Sequence, residues 1–296
     1  MLSLRRSSAS GFSLIELVAV IVLLGIVAVG SSAFISSSVS IYSDTARRSE
    51  LSQQGRYAVE RISRELRDAL PNSVRAGSTG SPATDYCLEF MPVLAASSYF
   101  NGIAGVSLSA LDIVDQGGFP VGNVAAQNLY AVIFNADNNS PSDADGLSNS
   151  IYDAAPTVMT KVDAITDNGD TLNLSFAANH TFIEDSPQRR IYLIDLTAVT
   201  SFCARDNYLG RYSNYGMSVN QTFPPAGAGI AQVARAIRLN ETNLVTSTSI
   251  PITVFEFSPG ILNRSALVYL DLRFRDDNNV TEWSRFTQEV FLRNVP

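Results

Sequence analysis

The sequence predicts an α+β protein: a long N-terminal helix, apolar in its first half and amphipathic in its second, packed on an antiparallel β-sheet domain. Three features point there. No charged residue occurs from Leu17 to Tyr42. Apolar residues then recur at three- and four-residue steps as far as Leu70, and near the C-terminus two runs alternate apolar and polar side chains.

The apolar segment comes first. Phe12 to about Ile35 makes ~36 Å of helix, enough to cross a bilayer, so residues 12–36 read as a single transmembrane pass. Residues 1–11 carry Arg5 and Arg6 but no apolar run, unlike an ordinary secretory signal, whose apolar run is removed on processing. Those arginines place the leader in the cytoplasm and the C-terminal body in the periplasm. Glu16 stands at the head of the apolar run. A carboxylate inside a bilayer costs about 2.5–3.5 kcal/mol on insertion scales, so it needs a partner or a function. The plain alternative is a signal anchor with an incidental glutamate.

Residues 37–70 continue as an amphipathic helix. Leu51, Gly55, Ala58, Val59, Ile62, Leu66 and Leu70 form the apolar stripe, and Pro71 disfavours helix at the residue before it. Arg47, Arg48, Arg56, Arg61 and Arg64 interleave with Glu50, Glu60, Glu65 and Asp68, with Glu60–Arg64 in the favourable i,i+4 order.

Residues 71–296 read as one β-rich globular domain, with enough chain for its own core. Leu129–Phe134 and Arg190–Ile194 are short apolar runs, and Leu172–Phe176 alternates strictly. Val268, Leu270, Leu272 and Phe274 alternate with Asp271, Arg273 and Arg275. A turn at Asp276-Asp277-Asn278-Asn279 follows, then Phe286, Gln288, Val290 and Leu292 alternate again, which predicts an antiparallel hairpin. Gly77–Thr84, Asn135–Ser150 and Gln221–Gly229 read as loops.

The chain has 21 basic and 28 acidic residues, a net charge of −7, and no basic tract, which argues against a nucleic-acid partner. Cys87 and Cys203 are its only cysteines. In an oxidising compartment one disulfide is the default reading, and two buried free thiols are the alternative. Asp137–Gly146 imitates a calcium loop, but Pro141 and Tyr152 stand where the first ligand and the bidentate Glu belong, so a solvated polar loop is the preferred reading. Asp167-Asn168-Gly169-Asp170 reads as a tight turn. His180, the one histidine, reads as a surface or turn residue, and the adjacent carboxylates Glu184-Asp185 and Asp276-Asp277 as pointing apart. No nucleophile elbow, P-loop or dinucleotide fingerprint occurs, so no enzyme, catalytic residue, metal or cofactor is expected. Tyr208, Tyr212 and Tyr215 form either a strand pair packing its own aromatics or a face for a surface glycan.

Gly11-Phe12-Ser13-Leu14-Ile15-Glu16 after a short basic leader resembles the N-terminus of type IV prepilins and of type II secretion pseudopilins. The resemblance implies a type IV pilin-like fold and a prepilin peptidase that cuts between Gly11 and Phe12 and N-methylates Phe12. It implies that Glu16 sets subunit register by neutralising the Phe12 amine of a neighbour. The implied partners are other minor and major pilins and the inner-membrane assembly platform. The implied location is the inner membrane, then the pilus. Residues 57–75 and the C-terminal block from Ala266 are similar to large minor pilins of the mannose-sensitive haemagglutinin (MSHA) pilus, which implies a role in assembly near the tip and in attachment. A J-type minor pseudopilin and a tip adhesin are the other readings.

Overall fold

The computed structural model describes residues 11–80, 83–136, 150–153, 155–205, 207–227, 229–242, 249–260, 265–275 and 283–292. The chain divides into two compact units, residues 1–50 and 51–296. Helix α1 (Leu14–Arg67) begins in the first and ends in the second.

Within the first unit every aliphatic and aromatic side chain from Phe12 to Ile41 is exposed. α1 contains a stretch long and apolar enough to cross a membrane. Among the described residues nothing removes this surface from water, which is the condition under which lipid or neighbouring helices must.

Within the second unit α1 buries one stripe: Gly55, Ala58, Ile62, Ser63 and Leu66. The helix ends at Arg67, three residues short of the expected Leu70. A neighbouring segment captures the backbone there: Asp68 O accepts Val93 N–H at 2.8 Å, and Leu70 N–H donates to Met91 O at 2.7 Å. Satisfied laterally, these groups no longer require helix. The i,i+4 pair that closes is Arg61–Glu65 at 3.0 Å, and among the described residues Glu60–Arg64 does not.

Among the described residues seventeen strands follow: β1 (Arg75–Gly80), β2 (Ala83–Phe90), β3 (Val93–Ser98), β4 (Ser107–Val114), β5 (Gly122–Asn123), β6 (Leu129–Val132), β7 (Met159–Asp167), β8 (Thr171–Thr181) and β9 (Arg190–Asp195). Then come β10 (Thr200–Arg205), β11 (Tyr208–Ser213), β12 (Gly229–Arg235), β13 (Asn240–Thr242), β14 (Ser249–Pro251), β15 (Phe255–Ser258), β16 (Leu267–Arg275) and β17 (Trp283–Phe291). All pairings are antiparallel among the described residues.

A five-stranded sheet runs β1-β2-β10-β11-β12 and a three-stranded one runs β15-β16-β17. Their apolar residues, Phe90, Phe202 and Leu209 from one and Val268, Leu270 and Phe274 from the other, share a core with Ala58, Ile62 and Leu66 of α1. Between β2 and β10 the chain inserts a seven-stranded sheet, β3-β9-β6-β7-β8-β4, with β5 beside β7. Tyr99, just after β3, bridges to Ile113 of β4, so the end strands meet and the sheet curls around its own core. Closure removes edges that would otherwise pair with other chains.

The alternating run of β8 fits: Leu172, Leu174 and Phe176 point inward. The expected C-terminal hairpin forms as β16·β17, with Leu272 opposite Phe286 and Leu270 opposite Gln288. Asp271 keeps with Arg273 to the face opposite Leu270 and Leu272, as expected, but it is buried there, because Arg273 and Arg285 converge on its carboxylate at 2.9 Å each. Of the expected loop Gly77–Thr84, Gly77–Gly80 belongs to β1 and Ala83 and Thr84 to β2, which pair antiparallel; residues 81–82 lie outside the described residues. The turn Asp276–Asn279, including Asp276-Asp277, lies outside the described residues.

Candidate functional site

The N-terminus of α1 carries the motif residues. Gly11, Phe12 and Ser13 precede the first helical residue, and Phe12 is exposed. Ser13 caps the helix: its Oγ accepts Glu16 N–H at 3.3 Å, and its carbonyl accepts the N–H groups of Glu16 and Leu17 at 3.1 and 3.2 Å. The S-x-x-E spacing is that of a capping box, a role not anticipated for Ser13 although the spacing announces it. An N-cap serine contributes about 1 kcal/mol to a helix. It also fixes Glu16 in the first turn, where the helix dipole favours a carboxylate. Glu16 is exposed and pairs with no cation among the described residues. A helix start so fixed presents a bare carboxylate one turn from Phe12.

Below this start, Ser38, Ser43 and Thr45 return their hydroxyls to backbone carbonyls of the preceding turn, at 2.8 Å each. Polar side chains of an apolar helix are thereby satisfied without water or a partner.

In the second unit Cys87 and Cys203 form a disulfide. The two residues are direct partners on β2 and β10, with Cα atoms 4.1 Å apart. Around it Arg75 and Glu89 pair at 2.6 Å, with Glu89 almost wholly buried. Arg75 also donates to the carbonyls of Val219 and Ser218 at 2.7 and 2.6 Å, and its guanidinium lies 3.8 Å from the Tyr152 ring centre. Tyr215 donates to Glu89 at 2.9 Å. Burial first, then the Glu89 carboxylate, pushes the hydroxyls of Tyr152 and Tyr215 well above the usual tyrosine range. Removing either member of such a pair leaves a buried charge and costs about 3–5 kcal/mol. This cluster is scaffold.

The other sequence-selected residues also find structural roles. Tyr212 is buried beside the disulfide, so Tyr212 and Tyr215 serve the interior rather than an exposed aromatic face. His180 lies on β8, not in a turn; its Nε2 is 2.9 Å from Thr157 O and its ring meets Phe182 edge-on. Asp167 turns β7 into β8, accepting Gly169 N–H at 2.7 Å, and Gly169 takes the positive φ that the turn needs. Asp185 staples a loop by accepting the N–H groups of Ile103 and Ala104 and the Tyr99 hydroxyl. Burial opposes its ionisation, but these donors and Arg189 outweigh it and hold the carboxyl below its ordinary range. Burial pushes the partner Tyr99 up to about 12. The calcium-like stretch Asp137–Gly146 lies outside the described residues. Among the described residues no three His, Cys, Asp or Glu side chains converge as a metal site would require.

The family model described as the prokaryotic N-terminal methylation motif matches residues 6–32. The chain carries a prepilin-type methylation motif. The matched stretch takes in Gly11, Phe12, Ser13 and Glu16 and extends through the apolar part of α1. With the long helix packed on antiparallel sheets, it supports the type IV pilin-like family, a pilin or pseudopilin role, processing by a prepilin peptidase and assembly with other pilins. No curated protein and no solved structure matches the chain.

Proposed function

We propose that this chain is a large minor pilin of an MSHA-type pilus, similar to MshO, acting in filament initiation near the tip and thereby in attachment. The observation that carries an assembly role is the Ser13-capped helix start, with Glu16 exposed and, among the described residues, unpaired at the head of an exposed apolar helix. Cleavage between Gly11 and Phe12 frees an amine on Phe12, which the peptidase methylates. Glu16 of one subunit then neutralises the amine of a neighbour as their helices pack, and neither charge is left alone in a low-dielectric surround. Before assembly the apolar half is an inner-membrane anchor, with the C-terminal body in the periplasm. Within the filament other helices replace the lipid.

The size of the body favours a rare subunit, because repeating it along a shaft would crowd neighbours. The resemblance of Tyr57–Arg61, Arg64–Arg75 and the block from Ala266 to MSHA minor pilins favours that system over a J-type type II pseudopilin. An adhesin role loses its aromatic face with Tyr212 and Tyr215 turned inward. The role is structural rather than catalytic.

A clean deletion in the native host, scored for sheared surface pili and secreted type II substrates together, tests this. Lost pili with normal secretion is the expected result. Lost secretion with normal pili would assign the chain to the pseudopilins instead.

A further inference from the structure

The strongest unassigned feature of the body is a groove of about 780 Å³ between the last turns of α1 and strand β17. One wall is helical, with Arg56, Glu60, Arg64 and Arg67; the other is the stretch Phe286–Phe291. Among the described residues β17 is the edge of its sheet. Its register fixes which backbone groups are free. Leu292 N–H donates to Ala266 O, so the alternation of an antiparallel ladder aims Phe286, Gln288 and Val290 at β16. The N–H and C=O groups of Thr287, Glu289 and Phe291 therefore face away from the sheet; the Glu289 carbonyl accepts the Gln288 side-chain amide at 2.8 Å, a bond that an incoming strand displaces. That spacing is a template for an added strand.

Two further observations say what kind of strand. Arg56, Arg64 and Arg67 are exposed and make no ion pair among the described residues, so three guanidinium groups face the groove against the carboxylates of Glu60 and Glu289. At its floor Ser63 is buried, lines the groove, and its Oγ has no hydrogen-bond partner. A buried hydroxyl left unsatisfied costs about 1–3 kcal/mol, and native proteins rarely tolerate that without a use.

We infer that this groove receives an extended, acidic segment of a partner protein, which adds antiparallel to β17 and sets its carboxylates against Arg56, Arg64 and Arg67. Backbone pairing with Thr287, Glu289 and Phe291 gives affinity, and the arginines select sign. Six strand residues span ~20 Å, so the segment is about six residues long. The site lies wholly in the body and does not depend on the pilin reading.

The test uses the full-length protein in detergent micelles and a labelled hexapeptide alternating Asp with Val, followed by fluorescence anisotropy. Controls are the Lys–Val counterpart, the same acidic peptide N-methylated at alternate amides, and anionic phosphatidylglycerol vesicles. The acidic peptide should bind at least about tenfold more tightly than the basic and N-methylated ones, a difference of about 1.4 kcal/mol. Arg64→Glu with Arg67→Glu should abolish that preference. Thr287→Pro should weaken binding while leaving the β16 ladder intact, since the lost N–H points outward. Ser63→Ala should weaken binding without lowering the melting temperature. Equal binding of the N-methylated peptide, binding only to the vesicles, self-association through β17, or no binding would each overturn the proposal.

Discussion

At the scale of single residues, Glu16 and Asp271 are the two carboxylates whose surroundings decide their use. Glu16 has a fixed backbone and, among the described residues, no partner cation and no cover, so its charge is available to another chain. Glu16→Ala should leave cleavage and membrane insertion intact yet reduce incorporation into filaments severalfold, read as the pellet-to-membrane ratio in sheared fractions. Full incorporation would remove Glu16 from the assembly role. Asp271 is the opposite case. Burial opposes its charge, but Arg273 and Arg285 outweigh that and hold the carboxyl below its ordinary value. A folded pKa below the unfolded one of ~3.9 gives stability that is present above it and lost as pH falls through the folded value. In urea titrations, wild type should exceed Asp271→Asn above pH ~5, and the gap should shrink steadily below pH ~4. A gap that stays constant into acid would mean the arginines do not hold the ionised form. That burial was not legible in the sequence. Strict alternation put Asp271 on the face opposite Leu270 and Leu272, where it stands, and nothing local announced that Arg285, fourteen residues on, would cover it.

At the scale of elements, α1 and β17 meet through one close approach. A Cβ on Gly55 would lie 2.2 Å from the Phe286 ring, which stands edge-on to Phe274 at 5.8 Å between centres. Helix propensity favours alanine over glycine by ~1 kcal/mol, whereas overpacking costs about 1–3 kcal/mol. Gly55→Ala should therefore destabilise the wild type, and become stabilising by up to ~1 kcal/mol when Phe286 is also changed to Ala. Thermal melts of the four-member cycle measure that change of sign, and additive effects would refute the contact. The helix stripe through Gly55, Ile62 and Leu66 and the β16·β17 hairpin were legible because periodicity is a local signal. The helix end at Arg67 was not, because residues 91–93, more than twenty positions later, take over its backbone. Nor was the inserted sheet, whose closure depends on Tyr99 meeting Ile113. Ser13 could have been found, since its spacing to Glu16 is itself the capping signal.

At the scale of the whole molecule, the two units differ in what covers their apolar surface. The first unit exposes a helix of membrane length, with one carboxylate at its head. The second unit buries its own cores and locks β2 to β10 through Cys87–Cys203. The disulfide was expected from the exported compartment alone, and direct cross-strand pairing supplies the geometry. The account of the molecule as a processed assembly subunit turns on Phe12 being its mature N-terminus. The measurement that tests it most directly is the mass of the N-terminal peptide of protein recovered from sheared surface filaments of the native host. A peptide beginning at Phe12 and carrying a single N-methyl group is the expected result. A peptide that retains Met1–Gly11, or a chain recovered only from membranes and never from filaments, would contradict it.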